Sequence, residues 1–266
     1  MTGIQVNPLD GKRGIVTGAS RGLGRSTALA LAEAGAHVVA AARDRESLAE
    51  TVELASGLPG RIVGVVADIT REAEVKDLVS RCVHDLGGLD YIVNNAGTQV
   101  EKSLLETTNE DWDLVDSTNV RAAFWACKYA VEWMIEHGGG SIVNIASVLS
   151  VTADPMLPAY TASKHAVLGL TRSIAVTREY ARAGVRANAV LPGDMETPMV
   201  TKYFASHDDP EAARRQVASS YPMERISDPM EVARVVRFLV SSDSSFVNGS
   251  AITVDGGILA SLYTSA

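Results

Sequence analysis

The sequence is short of the residues that tie a chain to metals, membranes or nucleic acids. Of 266 residues only two are cysteines, Cys82 and Cys127, and both fall in helix-like segments without CxxC spacing or a histidine cluster nearby. That argues against a disulfide framework and against a zinc site, and predicts two buried free thiols. No metal ligand set is expected. No apolar run approaches the ~18 to 20 residues of a membrane span, and Met1 to Lys12 lacks the apolar stretch of a secretory leader. The expectation is a soluble, cytoplasmic protein with no membrane partner. Lys and Arg number 24 against 32 Asp and Glu, a net charge of −8. With no basic stripe to compensate, a phosphate backbone is repelled, so nucleic acid is not an expected partner and a small-molecule substrate is. Repeats, low-complexity tracts and linkers are also missing, and the longest polar stretch, Ser206 to Arg215, is too short to separate domains. A single domain over residues 1–266 is expected.

What the chain does have is a regular alternation. Short runs rich in β-branched and small apolar residues read as strands at Gly14 to Val16, His37 to Ala41, Ile62 to Val66, Tyr91 to Val93, Ser141 to Ile145, Arg186 to Val190 and Ala251 to Val254. Amphipathic stretches between them read as helices at Leu23 to Ala34, Arg45 to Ala55, Glu72 to Leu86, Asp111 to Glu136, Ala159 to Ala183 and Pro229 to Val240. Strands that are apolar nearly throughout and alternate with helices indicate a parallel sheet covered on both faces. The predicted fold is α/β: a doubly wound, Rossmann-type seven-stranded parallel sheet. In such sheets ligands bind outside the carboxyl ends of the strands at the topological switch point, so the residues just after each strand are the ones to read closely.

The first strand runs into Thr17-Gly18-Ala19-Ser20-Arg21-Gly22-Leu23-Gly24 and then directly into an Ala/Leu-rich helix. Glycines in that position let the backbone approach a pyrophosphate, whose charge meets free N–H groups and the positive end of the helix. The spacing GxxxGxG departs from the usual GxGxxG. The acid expected ~20 residues on is also missing, since the second strand ends Ala41-Ala42-Arg43. With no carboxylate at Ala42, nothing repels a 2′-phosphate, and Arg21 and Arg43 can offer it guanidinium groups. This reads as preference for NADP(H), with NAD(H) also accommodated; the competing reading makes both arginines solvated surface charges. Asp68, after the third strand and ahead of Ile69, is placed either to accept from an adenine amino group or to cap the next helix. Asn94-Asn95-Ala96-Gly97 follows the fourth strand, where small and amide residues suit close approach of a planar ligand.

Ser147 lies at the end of the fifth strand, and Tyr160-Thr161-Ala162-Ser163-Lys164 opens a helix on which Tyr160 and Lys164 stand at i and i+4, projecting from one face. A phenol with an ordinary pKa near 10 is a poor acid or base at neutral pH, but a neighbouring ammonium and a cationic oxidised nicotinamide favour its phenolate. Tyr160 can then exchange a proton with a substrate oxygen.

Taken together, TGxxxGxG, NNAG, Ser147, Tyr-x-x-x-Lys and Pro192-Gly193 followed by Thr197 resemble, in order and approximate spacing, the short-chain dehydrogenase/reductase family. The resemblance runs from about Gly11 to Gly257 and is nearest to oxoacyl-thioester reductase-like members. It implies that Ser147 hydrogen-bonds the substrate oxygen, that Tyr160 is the acid/base, that Lys164 lowers the tyrosine pKa and holds the nicotinamide ribose, and that Asn119 holds a water of the proton relay. It further implies an adenine wall at Asn95, Ala96 and Gly97, and a nicotinamide contact at Pro192, Gly193, Met195, Thr197 and Met199, the Met195 contact being made by backbone. The cofactor set is thus Gly18, Ser20, Arg21, Gly22, Leu23, Gly24, Arg43, Asp68, Ile69 and these later residues, with Tyr160 and Lys164. Residues 198–225 are expected to form a substrate lid, and Leu149, Met156 and Leu157 an apolar pocket wall, while Asp154 and Asp194 either face its mouth and disfavour anionic substrates or lie in solvated loops. The family implies a homo-oligomer, tetramer or dimer, built on the two long helices and the terminal elements, with the tail Ile258 to Ala266 a candidate contributor. The activity implied is hydride transfer between NADP(H) and a carbonyl or secondary alcohol. An NAD-preferring alcohol or sugar dehydrogenase is the alternative, and a nicotinamide-sensing module without catalysis is disfavoured by the filled Ser/Tyr/Lys/Asn set.

Overall fold

The computed structural model describes residues 7–262. Seven strands, β1 (Arg13–Thr17), β2 (His37–Ala42), β3 (Ile62–Val66), β4 (Tyr91–Asn94), β5 (Gly140–Ile145), β6 (Val185–Pro192) and β7 (Ala251–Val254), form one sheet in the order β3-β2-β1-β4-β5-β6-β7. Every neighbouring pair is parallel. The chain winds outward from β1 to β3 and then returns to the other side of β1, so the switch point lies between β1 and β4.

Consecutive residues of the central strands alternate between two apolar layers, as period 2 requires. Val16, Val38, Val93 and Val143 face a layer built with helix α1 (Gly22–Glu33), whereas Ile15, Val39, Ile92 and Ile142 face one built with α3 (Glu72–Leu86). Helix α2 (Arg45–Leu54) joins the first layer and α5 (Ala122–Glu136) the second. Cys82 and Cys127 are buried free thiols in the second layer.

Three expectations for the helices need correction. The stretch predicted as one helix over Asp111 to Glu136 is α4 (Asn109–Val115), a π-helical turn over Asp116–Arg121, and α5. The stretch over Ala159 to Ala183 is α6 (Pro158–Val176) and a short α7 (Arg178–Arg182), separated at Thr177, whose backbone is extended (ψ 108°). Thr177 Oγ1 donates 2.9 Å to the Ser173 carbonyl, a side-chain bond that competes with the helical ladder without leaving a Gly or Pro signal. The segment after β6, read without secondary structure, contains α8 (Pro198–Ala205) and α9 (Pro210–Ser219); Asp209 caps the latter. Helix α10 (Pro229–Val240) returns to pack on α1. Tyr263 to Ala266, part of the apolar tail singled out above, lie outside the described residues. Among the described residues no helix is long and apolar enough to cross a membrane.

Candidate active site

The glycine turn between β1 and α1 is shaped by two different demands. Gly18 adopts φ +66°, and a Cβ there would fall 2.9 Å from Ala96 Cα. Gly24, inside α1, leaves no room at all: a Cβ would fall 2.2 Å from the Gly18 carbonyl oxygen and 2.5 Å from Asn95 Nδ2. The turn is also clamped from outside, which the sequence did not reveal. Arg25 donates from Nε to Thr51 Oγ1 (3.0 Å) and from Nη2 to the Ser20 and Ser47 carbonyls, and Thr51 Oγ1 donates to the Ala19 carbonyl (3.0 Å). At its mouth α1 begins at Arg21 without a side-chain cap and without an acid in its first turn. The free N–H groups of Gly22, Leu23 and Gly24, with the positive helix end, suit an anion such as a pyrophosphate; this is the observation on which a dinucleotide fits.

The outer strand ends carry charge. Arg21 and Arg43 are exposed, and neither forms an ion pair among the described residues. Asp44, one residue beyond Arg43, is spent on α2, where it accepts from Ser47 N at 3.1 Å. Asp68 is not the cap of α3: that position is Arg71, and Asp68 Oδ1 instead accepts from Thr70 N (3.0 Å) and Thr70 Oγ1 (2.7 Å). Burial pushes the Asp68 carboxyl up, but the Thr70 bonds and the charges of Arg43 and Arg71 outweigh it and hold the group below its usual range. Ile69 packs on the second apolar layer.

At the switch point β1 and β4 are stitched together. Asn95 N and Ala96 N donate to Thr17 Oγ1, and Asn95 Nδ2 donates to the Thr17 carbonyl at 2.8 Å. The Asn95 side chain is thus turned under the glycine loop, which leaves Ala96 and Gly97 as the parts of the NNAG segment that face the cleft. Asn94 sits opposite Asn144 in the β4–β5 register and donates to its Oδ1 at 2.8 Å; Asn144 Nδ2 passes the chain on to Thr171 Oγ1 of α6 at 2.8 Å.

The polar tetrad converges at the end of β5. The π-helical turn swings Asn119 inward to 3% exposure, in keeping with the tendency of such turns to occur at functional sites. Its amide makes three bonds, with Oδ1 accepting from Thr98 N (2.8 Å) and Nδ2 donating to the Thr98 carbonyl and to Ser163 Oγ (both 2.9 Å), which leaves Oδ1 one lone pair. Asn94, Asn119 and Lys164 line a cavity of about 10 Å³, room for about one water, and Asn94 Oδ1 is buried without a partner among the described residues.

Lys164 is 4% exposed, donates from Nζ to the Ile145 carbonyl at 2.8 Å, and lies 5.4 Å from the Tyr160 ring centre. Burial lowers its pKa to about 8. Burial also pushes the Tyr160 phenol up to about 12, against a hydrogen bond with Ser147 that lowers it and with the charge of Asp194 that raises it further. The expected lowering of the phenol by Lys164 is not present in the protein alone, because the loss of hydration is the larger effect and the ammonium points to a carbonyl. Ser147, buried at the β5 end, also accepts from Leu149 N at 3.1 Å.

The β6 end closes the cleft. Thr197 stands opposite Gly22, whose added Cβ would lie 3.4 Å from Thr197 Cγ2. Met195 forms a parallel bridge with Ser227 through Ser227 N to the Asp194 carbonyl and Glu196 N to the Ser227 carbonyl. That pattern turns the N–H and C=O of Met195 itself to the other side, free for a ligand. Pro192 ends β6, and Met199, at the start of α8, is 45% exposed. Asp194, one of the two loop aspartates, is not solvated freely. Burial raises its carboxyl above the usual range, opposed by Tyr221, whose Oη donates to Asp194 Oδ2 at 2.8 Å. Tyr221, 5% exposed, went unnoticed in the sequence.

With this geometry in place, comparison with known proteins gives a consistent picture. A family model described as enoyl-(acyl carrier protein) reductase matches residues 18–259. The 3-oxoacyl-(acyl-carrier-protein) reductase FabG of Thermotoga maritima is 39% identical over 251 residues, covering 94% of this chain and 99% of that protein. The 2-(R)-hydroxypropyl-CoM dehydrogenase of Xanthobacter autotrophicus is 40% identical over 250 residues, covering 92% and 98%. A solved structure from Agrobacterium tumefaciens with bound NADP, provisionally named a 2-deoxy-D-gluconate 3-dehydrogenase, superposes with a TM-score of 0.87 at 33% identity, covering 97% of this chain and 100% of that one. Matches of this extent, over the same fold, place the chain in the short-chain dehydrogenase/reductase family.

Proposed function

We propose that the protein transfers a hydride between NADP(H) and a carbonyl or secondary alcohol, with Tyr160 giving or taking the proton at the substrate oxygen. The observation that carries this reading is the placement of a buried Lys164 beside Tyr160 and of Ser147 near enough to act on its phenol, all at the strand ends next to a capless α1. Relatives named as a reductase of oxoacyl thioesters and as a dehydrogenase of a hydroxypropyl group act on the same CH–OH/C=O couple.

The residues divide the work by position. Gly18, Ser20, Gly22, Leu23 and Gly24 hold the pyrophosphate, Arg21 and Arg43 the 2′-phosphate, Asp68, Ile69, Asn95, Ala96 and Gly97 the adenosine end. Lys164 holds ribose hydroxyls, and Pro192, Gly193, Met195, Thr197 and Met199 the nicotinamide end. When bound, the nicotinamide supplies or accepts the hydride. Ser147 polarises the substrate oxygen, Tyr160 protonates it in reduction, and Asn119 keeps Thr98 and α6 in register beneath them. The whole chain acts as one catalytic unit, with 198–225 as its substrate lid. Exposed Trp112, Leu114 and Phe124, at 46%, 48% and 48%, favour homo-oligomer formation through the α4–α5 face, as a tetramer or dimer that light scattering distinguishes.

The test is turnover of a panel of ketones, sugars, steroids and acyl thioesters with NADPH and NADH. Oxidation of NADPH by at least one carbonyl compound is expected; no turnover with either cofactor across the panel would overturn the reading.

A further inference from the structure

Asp194 is built into the site more firmly than a loop carboxylate needs to be. Tyr221 packs closely on the backbone before it: a Cβ on Gly193 would fall 2.8 Å from the Tyr221 ring. The Tyr221 hydroxyl donates to Asp194 Oδ2 at 2.8 Å and accepts from Asp194 N at 2.7 Å. From the other side Ser227 Oγ donates to the Asp194 carbonyl at 3.0 Å and Ser227 N at 3.2 Å. One oxygen of the carboxylate, Oδ1, is left without a donor among the described residues.

Asp194 forms no ion pair among the described residues, although Arg225 lines the same cavity and Lys164 stands beside Tyr160. Lys102 is paired with Asp111, Arg214 with Glu196, and Arg225 with Glu231. Asp194 lies two residues past the end of β6, the strand paired with β5, whose end carries Ser147, and the other charges that reach this region are of the same sign: Glu101 and Asp154 act with Asp194 on Tyr203 of α8, and Asp194 acts on Tyr160. These carboxylates do not converge into a group that could hold a metal ion. A half-buried carboxylate without a counter-ion is costly, and a ligand that brings its own positive charge removes that cost. A hydroxyl would satisfy the free lone pairs but not the charge, and an anion would be repelled.

Resting on the oxidoreductase reading, we propose that Asp194, fixed by Tyr221 beside Tyr160, selects substrates that carry a protonated amine near the reacting carbon, such as amino ketones and amino alcohols. Asp194 is then a specificity residue, and Tyr221 the residue that positions it.

Binding decides this without turnover. Cyclohexylammonium, cyclohexanol and cyclohexanecarboxylate share one ring and differ in charge, and each is titrated calorimetrically into the full chain saturated with NADP+. Expected is the order ammonium, alcohol, carboxylate from tightest to weakest. Asp194→Asn, whose amide oxygen can still accept from Tyr221, should weaken the ammonium about tenfold, the worth of one charge-assisted hydrogen bond, and leave cyclohexanol unchanged. Tyr221→Phe should weaken the ammonium alone and by less. Equal or tighter binding of the alcohol or the carboxylate, no measurable ammonium binding, or an equal loss for all three ligands in Asp194→Asn would overturn the proposal. Asp194-dependent ammonium binding without turnover of any amino alcohol would count against the oxidoreductase reading alone. Turnover of neutral ketones that Asp194→Asn leaves intact, with no preference for the ammonium, would count against Asp194 alone.

Discussion

The Nζ of Lys164 lies 5.4 Å from the centre of the Tyr160 ring, yet its hydrogen bond, 2.8 Å long, goes to the Ile145 carbonyl. Burial drives the two groups in opposite directions, the lysine down to about 8 and the phenol up to about 12. In water their ordinary values nearly coincide, so a phenolate–ammonium pair costs little; in this site the neutral phenol is strongly preferred. The protein alone therefore holds Tyr160 as a proton donor, the form that carbonyl reduction needs.

Removing that proton while keeping the ring isolates the chemistry. Tyr160→Phe should bind NADPH with unchanged affinity, followed by fluorescence titration, and lose turnover by about 10²- to 10⁴-fold, the usual range for a general acid. A variant within a few-fold of wild type would remove Tyr160 from the reaction.

Lys164 makes a prediction about stability with a definite sign. Its folded-state pKa, about 8, is below the ordinary 10.5, so below pH 8 both states carry the proton and the fold bears the full cost of a buried ammonium. Between pH 8 and 10.5 the unfolded chain binds more protons than the folded one, and stability rises with pH. The shift corresponds to a penalty of about 3 kcal/mol at neutral pH, partly offset by the hydrogen bond to Ile145, worth on the order of 1 kcal/mol. Lys164→Met should thus be inactive but no less stable than wild type at pH 7, by up to about 2 kcal/mol in its favour, and should lose that advantage toward pH 10. Urea unfolding at several pH values checks this; a gap between the two proteins that stays constant from pH 6 to 10 would show that the lysine is not buried as described.

The sequence carried the sheet, the glycine turn and the closeness of Tyr160 to Lys164 because these are written in local signals: apolar runs between helical stretches, glycines after β1, a tyrosine and a lysine one turn apart. Features that depend on a single inserted residue or on distant partners were not legible. The π-helical turn that swings Asn119 inward leaves the apolar spacing of 109–136 nearly unchanged, so a helical period describes it as well as a straight helix. The break at Thr177 has no Gly or Pro to announce it. Asp194 and Tyr221 are 27 residues apart and meet only through the fold of the segment after β6, and Arg25 reads as an ordinary helix-face charge although it ties the glycine turn to α2. The balance at Tyr160 in the protein alone has the same origin: proximity to Lys164 follows from spacing, but the loss of hydration that raises the phenol follows from packing.

Cofactor preference can be read at Arg43. Its guanidinium is exposed and forms no ion pair among the described residues, so replacing it should not disturb the fold. Arg43→Ala is expected to weaken NADPH about tenfold, as loss of a charge-assisted contact to phosphate should, and to leave NADH unchanged, since NADH lacks the 2′-phosphate. An equal loss for both cofactors, or tighter binding of NADH than NADPH by wild type, would assign Arg43 to the solvated surface and favour an NAD-dependent enzyme.

Two glycine-to-alanine changes, both inside helices, should have opposite outcomes. At Gly24 the new methyl group would sit 2.2 Å from the Gly18 carbonyl oxygen and 2.5 Å from Asn95 Nδ2, so the glycine turn must move. Overpacking of this kind costs about 1 to 3 kcal/mol, and because the displaced atoms frame the α1 N-terminus, Gly24→Ala should weaken both cofactors as well. Gly169, exposed in the middle of α6, has nothing within 4 Å of an added Cβ and no left-handed backbone. There the methyl group restricts only the unfolded chain, and Gly169→Ala should stabilise by about 0.5 to 1 kcal/mol with turnover unchanged. Thermal unfolding with and without NADPH separates the two effects: the Gly24 variant should lose both intrinsic stability and the cofactor-induced rise in Tm, the Gly169 variant neither. A Gly24→Ala protein that keeps its full cofactor-induced rise would mean that the turn tolerates displacement, and that the tight fit of α1 against β4 serves packing alone.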